Sequence, residues 1–597
     1  MITNRKDAGG SNYELAEAIL LPVYDKHGGH IESNELIDLM ILVQALLSGD
    51  ESYIHCDEFE SYMKELFELI KCIMTTCKDN GINKISIVVE DGYVDRYYRD
   101  SYYLSLSSKH FDTKRNCVRL FLFEGDINDI DYRRNYSSSN NNRLAKRCIG
   151  FISLSPFRGC NISRALLSPK YLMPEDKLKG AVIRIGEYPC TMYGRRLRVK
   201  AFPYMKQDAE TISCAEVTAL LITDYYSLMY QEYHMALPSE IIKISGNYIS
   251  QRVTPSNGMR YDQLLHVLKD LRFSPYIFEY NQDTINDYHF ILHSYLDSSI
   301  PVAIHLSGID DYRSSDHSVL CIGFTDDNIS IKECKITIQL ANNVNGHDTY
   351  IIETSNLHSE YIVMDDNDIP YRILNLEIVN SIYDNGRFAN SRFSRNAYPI
   401  MKWSESNKQA VIRDMIMPLN RRMNMLAPDA KAIFMQIISG SLGIVSCLDR
   451  PAWNGVVSTC LDNIIPGSTD SNPIIVRIFM ATSNSFKQKR TNDINSDCYE
   501  MRRLYAELKL PRFIWVCELF SRKSYEEGLA IGEIVLDATS SGLDAFSSMI
   551  MLHYPGIIII RLPNEQYNLM EWDACLRDSE PLEKWEPFPK LKFGHAY

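Results

Sequence analysis

Residues 207–222 read QDAETISCAEVTALLI, and a single thiol opens the apolar run: Cys214 follows Ser213, with Gln207 a short way upstream. A free thiol has a pKa of about 8.5, too high to supply much thiolate at neutral pH; a helix N-terminus and an adjacent imidazolium lower it. Ser213 is a good helix cap, which would set Cys214 in the first turn, where unpaired backbone N–H groups point. Those groups can hold an oxyanion, and the Gln207 side-chain amide lies where a second donor is needed. One such donor is worth about 3–4 kcal/mol in a transition state. The chemistry suggested is nucleophilic attack on a carbonyl.

A thiol nucleophile needs an imidazole on a firm element and a third group that fixes its tautomer. Of the 14 histidines, His317 has the most suggestive context, because SSDHSVLCIGF sets it at the first residue of an apolar strand after a polar loop. His305 is the rival, but it lies inside PVAIHLS, where a satisfied strand histidine is the simpler reading. For the orienting acid, YIVMDDNDIPY offers Asp365 at the end of the next strand. Side chains alternate along a strand, so Asp366 points to the opposite face and is the second choice. Each piece has a bland alternative, a buried cysteine or a strand histidine. Their joint order, Gln, then Cys on a helix, then His and Asp on consecutive strands, sets them apart.

The elements that must position these groups are legible in the periodicity. Segments 34–47 (NELIDLMILVQALL) and 59–74 (FESYMKELFELIKCIM) carry apolar residues at helical spacing. The period then changes to strands at 84–90, 118–125 and 148–156, with a strand pair at 181–190 and 195–204. The polar stretch RRNYSSSNNNRLAKR (133–147) reads as a solvated loop whose arginines and Lys146 could touch phosphate. From Cys214 to about Tyr230 the chain is apolar all round, as a central buried helix should be. An amphipathic helix at 261–272 follows, then strands at 300–307, 317–325 and 360–366. Residues 376–412 are mixed, with NGRFANSRFSRNAYP as a surface connector. Beyond lie a helix near 427–439, strands at 473–481, 511–519 and 531–537, a helix over LDAFSSMIMLHYPG and a last strand over IIIIRLP.

Gln207 and Cys214, followed by IPVAIHLS, DHSVLCIGF and YIVMDD, resemble papain-like cysteine peptidases. The branch most similar is that of the bacterial double-glycine leader peptidases of bacteriocin exporters and their soluble relatives. The resemblance covers about residues 200–375. One residue more separates Gln207 from Cys214 than is usual there, and Ala215 stands where glycine commonly follows the cysteine. It implies an α+β fold: a central papain-like module, a buried helix plus an antiparallel sheet, flanked by mixed α/β regions. The domains would be 1–200, helical then β-rich; 201–375, the peptidase module; and 376–597, a C-terminal α+β region. The implied roles are Cys214 as nucleophile, His317 as base, Asp365 as orienting acid and Gln207 as oxyanion donor. The substrate would be a protein or peptide, with deamidation or transglutamination as further uses of the same parts, and no cofactor is implied. The alternative is a module of this fold that has lost catalysis and binds a partner. The membrane and ATP-binding parts of the exporters are missing, so the exporter role does not carry over. Large flanking regions around a catalytic unit suit a regulated bacterial effector, for instance in stress or phage defence.

Composition narrows the rest. Of 597 residues, 45% are apolar and 23% charged, an ordinary globular balance. The net charge of −13 argues against general binding to nucleic acid or an anionic membrane, although local patches can still differ. The 15 cysteines are odd in number and form no CxxC pair, which points to reduced thiols and a cytoplasmic setting. Asp and Glu interrupt the N-terminal apolar stretch, so no signal peptide is expected, and GIIII at 556–560 suits a buried strand. No metal site is expected: His289 and His293 could share a helix face but lack a third ligand, and a half-buried helix is the simpler reading. Neither GSTDSN (467–472) nor GSLG (440–443) has the lysine and spacing of a phosphate-cradling loop.

Overall fold

In the computed structural model the described residues are 18–22, 34–48, 58–110, 113–127, 144–156, 161–208, 211–248, 259–308, 317–326, 336–340, 349–379, 397–403, 409–438, 473–493, 499–541, 548–554, 557–561, 567–571, 588–591 and 595–596. The expected polar loop and surface connector fall mostly outside them, as do both glycine-rich segments tested as phosphate loops. The chain is mixed α and β with largely antiparallel sheets. It divides into two compact units: Met1–Asp176 with Ile185–Leu264 and Asp366–Tyr371, and Lys177–Arg184 with Leu265–Asp365 and Arg372–Tyr597.

The first unit is built on one antiparallel sheet. Its order is Ala18–Pro22, Lys84–Tyr93, Cys117–Glu124, Cys148–Ser155, Asn161–Leu167, Arg195–Tyr204 and Gly186–Met192. The last two strands form a hairpin whose turn residues, Tyr193 and Gly194, both have positive φ (44° and 80°). That is the turn whose twist matches two antiparallel strands. The helices Asn34–Ser48 and Glu58–Asp79 arise from the apolar spacing noted above. The helix Cys214–Met229 packs so closely on the strand Gly186–Met192 that a Cβ at Gly186 would lie 2.2 Å from Leu228. Any larger residue at 186 would force the Leu228 side chain to move.

In the second unit, six strands pair in a closed circuit. It runs Val302–Gly308, Gln409–Asn420, Tyr398–Trp403, Arg372–Val379, Glu360–Met364, His317–Phe324 and back to Val302–Gly308. Closure leaves no exposed edge between these strands. A second sheet runs Ile338–Leu340, Thr349–Glu353, Ile474–Thr482, Phe513–Phe520, Gly532–Asp537, Met549–Tyr554, Ile557–Arg561 and Tyr567–Glu571. The helix Tyr288–Asp297 shares one buried cluster with Val319, Cys321 and Val363 of the circuit and with Ile478, Trp515 and Leu536 of the second sheet.

These units do not coincide with the expected boundaries. A cut at 200/201 would run through the strand Arg195–Tyr204, which pairs with Asn161–Leu167 and Gly186–Met192. A cut at 375/376 would separate Gln409–Asn420 from Val302–Gly308, its partner in the circuit. The segment MIMLHY, expected to be helical, is the strand Met549–Tyr554, held between Gly532–Asp537 and Ile557–Arg561. A short apolar run has no period of its own, and two flanking strands decide its state. No described helix is long and apolar enough to cross a membrane.

His293 is buried in its helix, stacked on His358 at 4.9 Å and against Phe324 at 4.3 Å. The helix is therefore more deeply buried than its sequence suggested. Burial, with His358 adding to it, holds the His293 imidazole well below its ordinary value, and burial pushes His553 down to about 3. A base kept neutral in the folded state binds its proton only on unfolding. Stability is therefore full above pH 6.5, the ordinary value, and drops as the pH falls from there towards about 3. Each such histidine contributes a slope of about 1.4 kcal/mol per pH unit. Thermal unfolding between pH 6.5 and 5 should show this slope, and His553→Asn should remove one proton from it. An unchanged slope in the variant counts against the burial argument.

Candidate functional site

The helix that carries Cys214 begins where the sequence says it should. Ser213 is the residue before the first helical position, and its N–H donates to the Glu216 carboxylate at 3.1 Å, as does its hydroxyl. This capping box sets the thiol at the first helical residue. The approach to it is also fixed: Asp208 accepts from the N–H groups of Thr211 at 2.7 Å and Ile212 at 2.9 Å. Residues 215–226 of the helix are all buried, while Cys214 itself is half-buried. Within the helix, Asp224 takes a bidentate pair of hydrogen bonds from Arg164 of the neighbouring sheet, both at 3.0 Å. Burial opposes the Arg164 charge, but Asp224 beside it keeps the guanidinium protonated. That pair pins the helix, and hence the thiol, to the strand Asn161–Leu167.

Burial makes most of the other described thiols poor nucleophiles. It pushes Cys77, Cys117 and Cys321 up to about 12 and Cys190 up to about 11. Cys148 and Cys517 are likewise raised by burial. Among the described cysteines, Cys214 alone is both half-buried and the first residue of a helix.

The Gln207 amide donates to Asn367 Oδ1 at 2.7 Å, on the surface of the first unit. The amide expected to receive an oxyanion therefore already has an acceptor. Asn367 comes from a segment far along the chain that returns to this unit, and no local motif announces it. A further anchor of that segment is Tyr371, whose hydroxyl donates to Leu167 O at 2.8 Å and accepts from Phe202 N at 2.9 Å.

The base and its acid are found in the second unit. His317 is the first residue of its strand, and its Nε2 lies 2.7 Å from Asp365 Oδ1. Register explains the meeting. His317 is paired with Leu306 and Met364 with Leu320, so His317, Val319, Val363 and Asp365 alternate onto one face. That face carries the buried cluster, and Asp365 is only 5% exposed while His317 is 20% exposed. Asp365, the first-choice acid, is thus at hydrogen-bond distance from the ring, and a carboxylate oxygen of Asp366 also lies within 4.8 Å. With Nε2 turned to the acid, Nδ1 is the nitrogen that could take a proton from a thiol.

The rival histidine proves to have a role of its own. His305 pairs in register with Ser318, so it faces the opposite side of the sheet from His317. Its Nδ1 lies 3.2 Å from Asp414 Oδ2 on the adjoining strand. It is a strand histidine satisfied by a cross-strand carboxylate. Behind the His317 strand, Gly323 lies where a Cβ would meet Val182 O at 2.3 Å, so only glycine lets the strand Val182–Ile183 join there.

The structure thus brings Asp365 to His317 within the second unit, and places Cys214 and Gln207 in the first. Set against protein-family models and curated proteins, the chain matches none.

Proposed function

We propose that the chain is a cysteine hydrolase of papain-like design that acts on an amide bond of a protein or peptide. The observation that carries this reading is the His317–Asp365 pair at 2.7 Å, set at the head of an antiparallel strand and oriented through Nε2. The first unit offers the matching nucleophile, a half-buried thiol at the first residue of a capped, otherwise buried helix. In the reaction His317 Nδ1 takes the Cys214 proton, and the thiolate attacks the carbonyl carbon. The helix N–H groups stabilise the oxyanion, and the imidazolium returns the proton to the leaving amine. Water then hydrolyses the thioester, and the free acid and thiol are restored. Asp365 holds the imidazole in the tautomer that leaves Nδ1 as base. Gln207 serves as second oxyanion donor once it exchanges Asn367 for substrate.

A second reading, a papain-like module that binds a partner without turnover, draws on one observation: the Gln207 amide is occupied by Asn367. A fluorescent iodoacetamide separates the two. With the full chain at neutral pH, Cys214 should alkylate about tenfold faster or more than the buried thiols. His317→Ala should lower that rate while leaving thermal unfolding unchanged. If Cys214 reacts equally fast in both proteins, the hydrolase reading fails and the binding module stands.

A further inference from the structure

The hairpin Gly186–Met192/Arg195–Tyr204 has a second use, independent of the thiol. Along RRLRVKAF, Leu197, Val199 and Ala201 alternate into the core, which turns Arg196, Arg198 and Lys200 onto the opposite, exposed face. These three line a cleft of about 1020 Å³ in the first unit. Lys170, next to the strand Asn161–Leu167, and Lys146, next to Cys148–Ser155, line it as well. Among the described residues, Glu187 is the one acid in its lining, and Arg198 already pairs with it at 3.2 Å.

Five cations facing one carboxylate is a marked reversal in a chain of net charge −13. Like charges gathered round one space repel each other, and their field concentrates anions there. The cleft lies at the upper end of the size range for small-molecule pockets, roughly 300–1,000 Å³. Its chemistry distinguishes among anions. A single-stranded nucleic acid is held by a cationic groove together with exposed aromatic rings on which bases stack. Here the aromatic residue in the lining, Tyr171, is buried and its hydroxyl donates to Glu124 at 2.9 Å, so it offers no open ring face. Recognition would rest on charge, through the forked donors of Arg196 and Arg198 and the ammonium groups of Lys146, Lys170 and Lys200.

We propose that this cleft binds a compact polyphosphate, either free or as the di- or triphosphate of a nucleotide. Charge matching with several phosphates in a small volume is what the five side chains provide. Lys146, read in the sequence as part of a solvated loop, thereby supplies part of one wall of a site.

Isothermal titration of the full chain with inorganic tripolyphosphate, and separately with ATP, tests this. Tripolyphosphate should bind, more weakly as salt rises. Arg196→Glu/Lys200→Glu should weaken it by about tenfold or more, and so should Lys146→Ala/Lys170→Ala from the other wall. Arg503→Glu, at an exposed position of the second unit, should leave binding unchanged. Equal affinity for ATP identifies the phosphates alone as the ligand; tighter ATP binding identifies a nucleotide, and both support the site. The proposal is overturned if about 1 mM tripolyphosphate gives no heat, or if neither wall variant weakens binding. It is equally overturned if a single-stranded RNA of about twelve nucleotides binds far more tightly at the same residues. Because none of these variants touches Cys214 or His317, failure here leaves the hydrolase reading intact.

Discussion

Replacing Asp365 with alanine should slow acylation of the protein by p-nitrophenyl acetate by on the order of 10²–10⁴-fold, with the fold intact. The effect rests on a tautomer. Asp365 Oδ1 accepts from His317 Nε2 at 2.7 Å, so the proton stays on Nε2 and Nδ1 keeps its lone pair. Without the carboxylate the imidazole can turn on its bonds and carry its proton on either nitrogen, and it loses the charge that stabilises the imidazolium formed in the transition state. Asp365→Asn should fall between wild type and Asp365→Ala, because its carbonyl oxygen keeps an acceptor at Nε2 while the negative charge is lost. A role confined to stability predicts something else: both variants would lower the unfolding temperature and leave the acylation rate of the remaining folded protein unchanged. An acylation rate for Asp365→Ala within about twofold of wild type would show that Cys214 does not depend on this pair.

This site was legible in the sequence to an uneven degree, for physical reasons that differ by residue. The helix Cys214–Met229 declares itself locally, since Ser213 and Glu216 form a capping box and apolar residues follow on all faces. His317 and Asp365 were placed by strand alternation, which depends only on the period of two and on where each strand begins. The Gln207–Asn367 contact was not legible, because it joins residues 160 apart through a chain return that no local pattern encodes. Non-local pairing likewise hid the division into units. The strand Val302–Gly308 finds its second partner in Gln409–Asn420, where Pro418 in turn lies opposite Pro275 of yet another strand.

Lone charges inside apolar strands carry a further signal. Arg477 stands alone in IIVRIFMAT and Glu518 in FIWVCELF, while Glu533 lies in GEIVLD ahead of three apolar residues, with Asp537 at the strand's far end. A lone charge inside an apolar strand must find an opposite charge or carry a large desolvation cost. The helix holds a matching case in Asp224, which is met by Arg164. Taken as a set, such residues point to strands that lie side by side.

Replacing Arg490 with alanine should therefore destabilise the second unit by about 3–5 kcal/mol. The side chain is fully buried; its Nη2 donates to Glu518 at 2.7 Å and to Glu533 at 2.7 Å, and its Nε donates to Glu533 at 3.0 Å. Arg477 continues the array, bridging Glu518 at 2.8 Å and Asp297 at 2.6 and 2.8 Å. Asp297 ends the helix that packs beneath the His317 strand, so the array ties the second sheet to the element supporting the proposed base. Removing Arg490 leaves Glu533 buried with only the Tyr505 hydroxyl, and burial already raises its carboxyl above the ordinary 4.5. In the variant that carboxyl is driven to protonate. A carboxyl raised in the folded state contributes its full stability below pH 4.5 and loses it as the pH climbs towards the folded value. The gap between variant and wild type should therefore be narrower near pH 5 than at pH 8, where a drop in unfolding temperature of roughly 5–10 °C is expected. Adding Glu533→Gln to Arg490→Met should recover much of the loss at pH 8, since the orphaned charge is gone while Glu518 keeps Arg477. A single-variant loss that does not change with pH, or a double variant no better than Arg490→Met alone, would mean that the arginine acts by filling space and not by answering charge.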